Sequence, residues 1–303
     1  MFVIKYRKIF YTISGILIGA SVFAFAFYGF NLGIDFTGGA ITEIGYPEEK
    51  ADLNVVKEKL NVLNLGNYTI QDIGENGVIL RTKNLTEDER VSVMNALSLD
   101  STVQIEEKRF NSIGPVIGQE LKSKAVMALV FVVIAIILFI AFSFRKVSEL
   151  GKERVSSWKY GAVAILALIH DIVIPTGVFV LLGSMFIDYQ IDILFVTALL
   201  AILGFSVNDT IVVFDRVREN LKNSSKGESF EEIVGKSLSQ TFGRSINTSL
   251  TVLIALLFLF FFGGDTTKHF TLVLSIGVIA GTYSSIFLAS PLLVTWQKFS
   301  SKG

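Results

Sequence analysis

A polytopic α-helical membrane protein carrying one soluble α+β insert is the fold class this sequence predicts, and three observations predict it. Of its 303 residues 51% are apolar and only 18% charged, where an ordinary soluble domain is about a quarter charged; the mean hydropathy is +0.58. Six stretches, 9–30, 123–143, 159–183, 191–214, 244–263 and 270–296, are long and apolar enough to cross a bilayer, which takes about 20 residues. Between the first two lies a polar run, 31–122, with 15 acids and 9 bases, a net charge of 9 − 15 = −6. The chain thus divides into 1–30, an N-terminal tail and helix 1; 31–122, a folded domain outside the membrane; and 123–303, helices 2–6 with cytoplasmic loops and C-terminus.

The first span follows Lys5, Arg7 and Lys8. Its apolar run exceeds the usual length of a signal peptide's core, and no small-residue cleavage pattern precedes "NLGIDFTGG", so it reads as a retained anchor. In the insert, "GAITEIGYP" alternates like a strand, and Leu53, Val56, Leu60 and Leu63 recur at helical spacing. "YTIQDIG" and "GVILRTK" flank Glu75-Asn76-Gly77, a hairpin signal. Thr86 and Glu89 form a capping box ahead of a helix with Val91, Met94 and Leu97 on one face. "STVQIEEKRF" closes as a strand. The order β-α-β-β-α-β is that of the ferredoxin-like split βαβ unit, bracketed by turn-forming Gly38-Gly39 and Gly114-Pro115. Its simplest use is as a platform for protein contact.

Orientation follows from basic residues near span ends. With the N-terminus inside, the inner segments carry Lys5, Arg7, Lys8, Arg145, Lys146, Lys152, Arg154, Lys159, Arg216, Arg218, Lys222, Lys226, Lys236, Arg244, Lys298 and Lys302, while the short outer loops 184–190 and 264–269 carry only Lys268. Both termini are expected in the cytoplasm. There is no cysteine and there are two histidines, so thiolate chemistry is excluded and a metal centre is not expected. No phosphate-binding glycine loop, HExxH or GxSxG is present. The expectation is a protein that is not an enzyme, has no cofactor and binds no nucleic acid.

Polar residues inside the spans carry the functional signal. Span four, "IDILFVTALLAILGFSVNDTIVVF", holds Asn208-Asp209 before "DRVREN". A carboxyl in a bilayer is disfavoured by about 3 kcal/mol on insertion scales. Asp209 lies six residues before Asp215, about 9 Å deep at 1.5 Å per residue. Ile202, Ser206, Asp209 and Val213 share a helix face. Low dielectric disfavours a charged carboxyl and a nearby cation favours it; a group poised between them can load and release a proton. Span three holds His170-Asp171 before Pro175 and Gly177, and Pro removes a backbone donor. These two either bond each other or line an ion path. Span five must include Arg244, Asn247, Thr248 and Ser249 to cross. Arg244 is thus either an interfacial anchor or a partner for Asp209. Gly277, Gly281 and Ser285 in span six form a small-residue packing stripe.

"NLGIDFTGGA", "HDI", "GFSVNDTIVVFDRVREN" and "RSINTSLT" resemble the SecD/SecF family of bacterial protein-export membrane proteins, within the resistance-nodulation-division superfamily. The run from Asn208 onward matches the smaller, SecF, branch, and the likeness covers almost the whole chain. It implies a subunit that works with a separate SecD and uses the proton motive force to help unfolded preproteins cross the SecYEG channel in the inner (plasma) membrane, in contact with lipid and with YajC and YidC as further partners. It assigns Asp209, with Asn208, to the ion pathway, Arg244 to the basic position of the next span, and Asp35, Gly38 and Gly39 to a signature expected to act as a hinge. His170 and Asp171 match a motif grouped with the ion pathway, without a distinct role. Two other readings stand beside this: a half-size small-molecule efflux transporter, poorly served by Tyr46, Tyr68 and Phe110 as the insert's aromatics, and a structural subunit that moves no ion.

Overall fold

The computed structural model describes residues 2–48, 50–145, 156–186, 188–224 and 228–300. Lys146, Lys152, Arg154, Lys226 and Lys302, counted above toward orientation, lie outside them. Two compact units emerge, one of Met1–Asn31 with Met127–Gly303 and one of Leu32–Val126.

The smaller unit begins with a single turn, α3 (Ile34–Thr37), after the two helices of the other unit's N-terminal segment, α1 (Phe2–Lys5) and α2 (Arg7–Tyr28). It continues as β1 (Gly39–Gly45), α4 (Leu53–Val62), β2 (Thr69–Ile73), β3 (Gly77–Thr82), α5 (Glu87–Leu97) and β4 (Glu106–Ile113). The sheet order is β2-β3-β1-β4, with every neighbouring pair antiparallel. Ala40, Ile44, Val78 and Leu80 pack with Val56 and Leu60 of α4 and Val93, Ala96 and Leu97 of α5 in one core. The capping box forms: Thr86 Oγ1 accepts from the Glu89 amide, and the Glu89 carboxylate accepts from the Thr86 amide. Of the expected face of α5, Leu97 is buried and Met94 packs against this core, and only Val91 departs from it. Val93, Ala96 and Leu97 are buried and Val91 is exposed, because the helix presents positions i, i+3 and i+4 to the sheet. The last strand starts at Glu106 and not at Ser101, since Leu99, Asp100 and Ser101 all have positive φ, a left-handed turn that no strand contains.

The larger unit comprises α1, α2, α6 (Pro115–Ser143) from Met127 onward, α7 (Ser157–Met185), α8 (Ile193–Lys222), α9 (Phe230–Phe262), α10 (Asp265–Tyr283), a π-helix (Ser284–Ala289) and α11 (Ser290–Ser300). Among the described residues six helices are long and apolar enough to cross a membrane: α2, α6, α7, α8, α9 and the continuous run Thr267–Ser300. Several outlast their apolar stretches. Thus α9 starts 14 residues before the expected 244, at a second capping box between Ser229 and Glu232. Its first turns bury Phe230, Ile233, Val234 and Leu238 in an aliphatic and aromatic core with Phe144, Tyr160 and Phe214. Packing decides this boundary, where hydropathy alone would start the helix later. α7, α8 and 267–300 are mostly buried, whereas α2, α6 and α9 are largely exposed.

Candidate functional site: a hydroxyl-lined pair of carboxyls

The close approach of α10 to α8 creates the site. A Cβ on Gly277 would overlap the Ile202 side chain, and one on Gly281 would lie 3.0 Å from Ser206 Cβ. Only glycine permits this approach. It brings the end of α10 and the π-helix against the face of α8 formed by Ile202, Ser206, Asp209 and Val213, all four buried.

Asp209 Oδ1 accepts a hydrogen bond from Ser245 Oγ of α9 at 2.5 Å. Oδ2 is buried and, among the described residues, meets no donor in hydrogen-bond geometry. Ser285 lies beside this carboxyl, but its hydroxyl donates to the Gly281 carbonyl at 2.5 Å. Asp171, fully buried on α7, is more richly held. His170 Nδ1 lies 2.8 Å from Oδ1, and Oδ2 accepts from Ser284 Oγ at 2.7 Å and from Ser206 Oγ. The His170 ring stacks on Tyr283 with centroids 5.9 Å apart, its Nε2 has no hydrogen-bond partner among the described residues, and the Tyr283 hydroxyl donates to the Phe10 carbonyl at 2.9 Å. A further hydroxyl contact, Ser249 with Thr282 at 2.5 Å, joins α9 to α10.

The helices therefore bring Asp209, His170 and Asp171 into one hydroxyl-lined region. Asn208 and Arg244 are not in it. Both are exposed on α8 and α9, and among the described residues Arg244 makes no ion pair with Asp209. The reason is helical geometry: successive residues are turned by 100°, so it is Ser245 that meets the carboxylate. Asn247 and Thr248 are likewise exposed while Ser249 is buried. Sequence reasoning missed Ser245, Ser284 and Ser285 as carboxylate neighbours. The available signal is the i, i+4 pair Ser245/Ser249 and the tandem serines in an otherwise apolar span; of these, the sequence reading names only Ser249, as part of span five, and Ser285, as packing. The π-helix has no sequence signature of its own, although such wide turns concentrate at functional sites.

The signature glycines of the insert show why that motif is glycine. Gly38 and Gly39 have φ of +72° and +132°, and Cβ atoms there would lie 2.7 Å from Pro115 Cα and 2.7 Å from the Thr82 carbonyl oxygen. A Cβ on Gly118 would lie 2.8 Å from the Gly38 nitrogen. The entry to β1 and the first turn of α6 thus cross at backbone contact, with Asp35 in the short α3 just before.

Comparison with known proteins agrees with this architecture. A family model described as the C-terminal region of the protein export membrane proteins SecD/SecF matches residues 93–299, and one for the SecD/SecF GG motif matches residues 23–46. The protein translocase subunit SecF of Thermobaculum terrenum is 41% identical, over 97% of this chain and 93% of the relative. That of Anaerolinea thermophila is 36% identical, over 96% of this chain and 92% of the relative. The crystal structure of SecDF, a translocon-associated membrane protein from Thermus thermophilus, matches with a TM-score of 0.82 at 30% identity, covering 97% of this chain. This chain spans 38% of that longer one. With six membrane-length helices and these relatives, the chain belongs to the SecD/SecF family of multi-pass protein export membrane proteins.

Proposed function

We propose that this chain is the SecF subunit of a proton-driven export complex: with a separate SecD, it uses the proton motive force to help preproteins finish crossing the SecYEG channel. It would act from the inner membrane with both termini in the cytoplasm. The observation that carries this reading is Asp209. It is a buried carboxyl in a membrane-length helix, held by one serine hydroxyl, and its second oxygen meets no donor in hydrogen-bond geometry among the described residues. A purely structural polar contact would be expected to satisfy both oxygens, since an unmet buried acceptor is disfavoured by about 1–3 kcal/mol. A group that exchanges a proton must instead tolerate two charge states.

Asn208 and Arg244, exposed on α8 and α9, are read as the ion-pathway groups that face SecD. His170 and Asp171 complete the polar path inside this chain. The insert is read as a ferredoxin-like domain outside the membrane that contacts the emerging preprotein, its sheet order β2-β3-β1-β4 being that of the split βαβ unit. Asp35, Gly38 and Gly39 are read as its pivot. The backbone contact of Gly38 with Pro115 and Gly118, all within the smaller unit, ties the start of β1 to the start of α6, the connection through which movement of α6 would be transmitted. Such coupling requires a two-state element.

The test is completion of preprotein translocation in membranes holding this chain and its SecD, with ATP exhausted and a proton gradient imposed. Asp209→Asn keeps the shape and hydrogen bonding but carries no charge. The expected result is loss of the gradient-dependent component with the complex still assembled. Unchanged completion would leave Asp209 as a structural contact and overturn the proposal.

A further inference from the structure

The two carboxyls have consecutive residues as neighbours, and nothing about Asp209 alone requires that. Ser284 donates to Asp171 and Ser285 lies beside Asp209. Both serines also reach a single acceptor, the Gly281 carbonyl, at 3.0 Å and 2.5 Å. They open the π-helix, whose wide turn leaves the Ser285 carbonyl to accept from Ser290 Oγ at 3.1 Å. The backbone here has little room to shift, because Gly281 is already packed on Ser206. The mobile parts are the hydroxyls.

We propose that Ser284 and Ser285 are positioning residues that couple the two intramembrane carboxyls through their shared acceptor, so that a change of charge on Asp209 alters the hydrogen bonding of Asp171. The inference rests on the proton reading of Asp209. A hydroxyl bond to a charged oxygen is about twice as strong as one to a neutral acceptor. When Asp209 is charged, the Ser285 hydroxyl turns from Gly281 to the open Oδ2. The Gly281 carbonyl then loses the Ser285 proton, and the Ser284 hydroxyl, whose oxygen already lies 3.0 Å from it, turns its proton there and away from Asp171. When Asp209 takes up a proton, Ser285 returns to Gly281 and Ser284 to Asp171, the arrangement of the present structure. His170 from α7 and Tyr283 from α10 are the titratable groups on the Asp171 side. On the Asp209 side α9 contributes Ser245, and Arg244 is exposed. This gives Asp171 a role distinct from that of Asp209: it receives the change and does not itself start it.

Infrared difference spectroscopy between two pH values, on the full chain in lipid with carbon-13 in the aspartate carboxyls, reads both groups. Asp209→Asn and Asp171→Asn identify each band by its loss. In the wild type an Asp171 band is expected to shift across the titration. That shift is expected to vanish in Asp209→Asn and in Ser284→Ala/Ser285→Ala, and to return in Ser284→Thr/Ser285→Thr, which keeps both hydroxyls. If the double alanine variant does not fold, Ser285→Ala alone, which leaves the Ser284 contact in place, carries the same expectation. An Asp171 shift that persists in the alanine variant, or no Asp171 shift in the wild type, overturns the coupling while leaving Asp209 as the ion-linked group. A titration spectrum that Asp209→Asn leaves unchanged overturns the proton reading itself.

Discussion

The insert and the helical bundle use polar side chains in opposite ways. In the insert the described buried polar residues are Thr42, Thr82 and Ser98, whereas in the bundle they include Ser206, Ser237, Ser245, Ser249, Thr282, Ser284, Ser285, His170, Asp171 and Asp209. Of the insert's three, Thr42 is mid-strand, but Thr82 ends β3 and Ser98 follows α5, and exposed Thr86 likewise sets a boundary, at the start of α5. The bundle places its polar groups in mid-helix, where many hydroxyls return to the carbonyl four residues back, as Thr241, Ser249 and Thr282 do. In hydrocarbon no water can satisfy a polar group. A hydroxyl that leaves its own helix to bind a carboxylate, as Ser206, Ser245 and Ser284 do, therefore marks where two helices must meet. Polarity specifies limits in one unit and partners in the other.

The strongest way to break this comparison is at the crossing that assembles the polar cluster. Gly277→Val would drive a branched side chain into buried Ile202. Overpacking of this kind is disfavoured by about 1–3 kcal/mol, occasionally more. The thermal midpoint of the detergent-solubilised chain should fall, and Ile202→Ala in the same background should recover part of the loss. Gly204, exposed on the same helix as Ile202 with nothing within 4 Å of its Cβ position, is the control. Gly204→Ala should leave the midpoint unchanged or raise it, since alanine is favoured over glycine in a helix by about 1 kcal/mol. A fall in Gly204→Ala as large as that in Gly277→Val would show that the crossing is not what holds the cluster.

In the insert the corresponding buried polar contact is Tyr46, whose hydroxyl donates to the Leu97 carbonyl at 3.0 Å. Burial, with the nearby Asp72 charge adding to it, pushes that hydroxyl up to about 12, so it stays a donor at neutral pH. Tyr46→Phe leaves a buried carbonyl unmet, a loss of about 1–3 kcal/mol. Protease resistance of residues 32–126 in the full chain should drop while the thermal behaviour of the bundle does not. A parallel loss in both would mean that the two units do not behave as separate cores.

How much of each unit was legible follows the same division. Thr86 and Glu89 announce a helix start because a capping box is local in sequence, and Leu53, Val56, Leu60 and Leu63 announce a helix by their spacing. The six apolar runs announce six long helices. By contrast, nothing local tells Ser245 from Arg244. The charge on Arg244 drew attention, but 100° of helical rotation separates the two, and only the packing of α8 against α9 selects which one meets Asp209. The extension of α9 back to Phe230 was missed for a related reason. Its amphipathic first turns are too polar on one face to count as a span, yet they bury the other. The tandem serines were half seen, because Ser285 fits a packing stripe and its contact with a carboxyl exists only in three dimensions.

The smallest predicted effect sharpens the local side of the contrast. Thr86→Ala removes the cap of α5, for about 1 kcal/mol. Glu89, its partner in the box, allows the charge to be separated from the cap. The Lys83 ammonium, which donates to Glu89 at 2.7 Å, and then the Thr86 amide hold its carboxyl down to about 2 from an ordinary value of 4.5. A carboxyl whose folded value is depressed stabilises the fold fully above the unfolded value, and loses that contribution as pH falls through the folded one. Hydrogen-exchange protection of the α5 amides in the full chain should therefore decline between about pH 4.5 and about pH 2. Glu89→Gln can still close the box, since glutamine also accepts from the cap amide, but it does not titrate. The variant should keep the helix start and flatten the decline over that window. Because the side chains are exposed, the wild-type decline should also shrink at high salt. An equally steep decline in Glu89→Gln would assign it to other carboxylates of the insert, and the capping box would then act by hydrogen bonding alone.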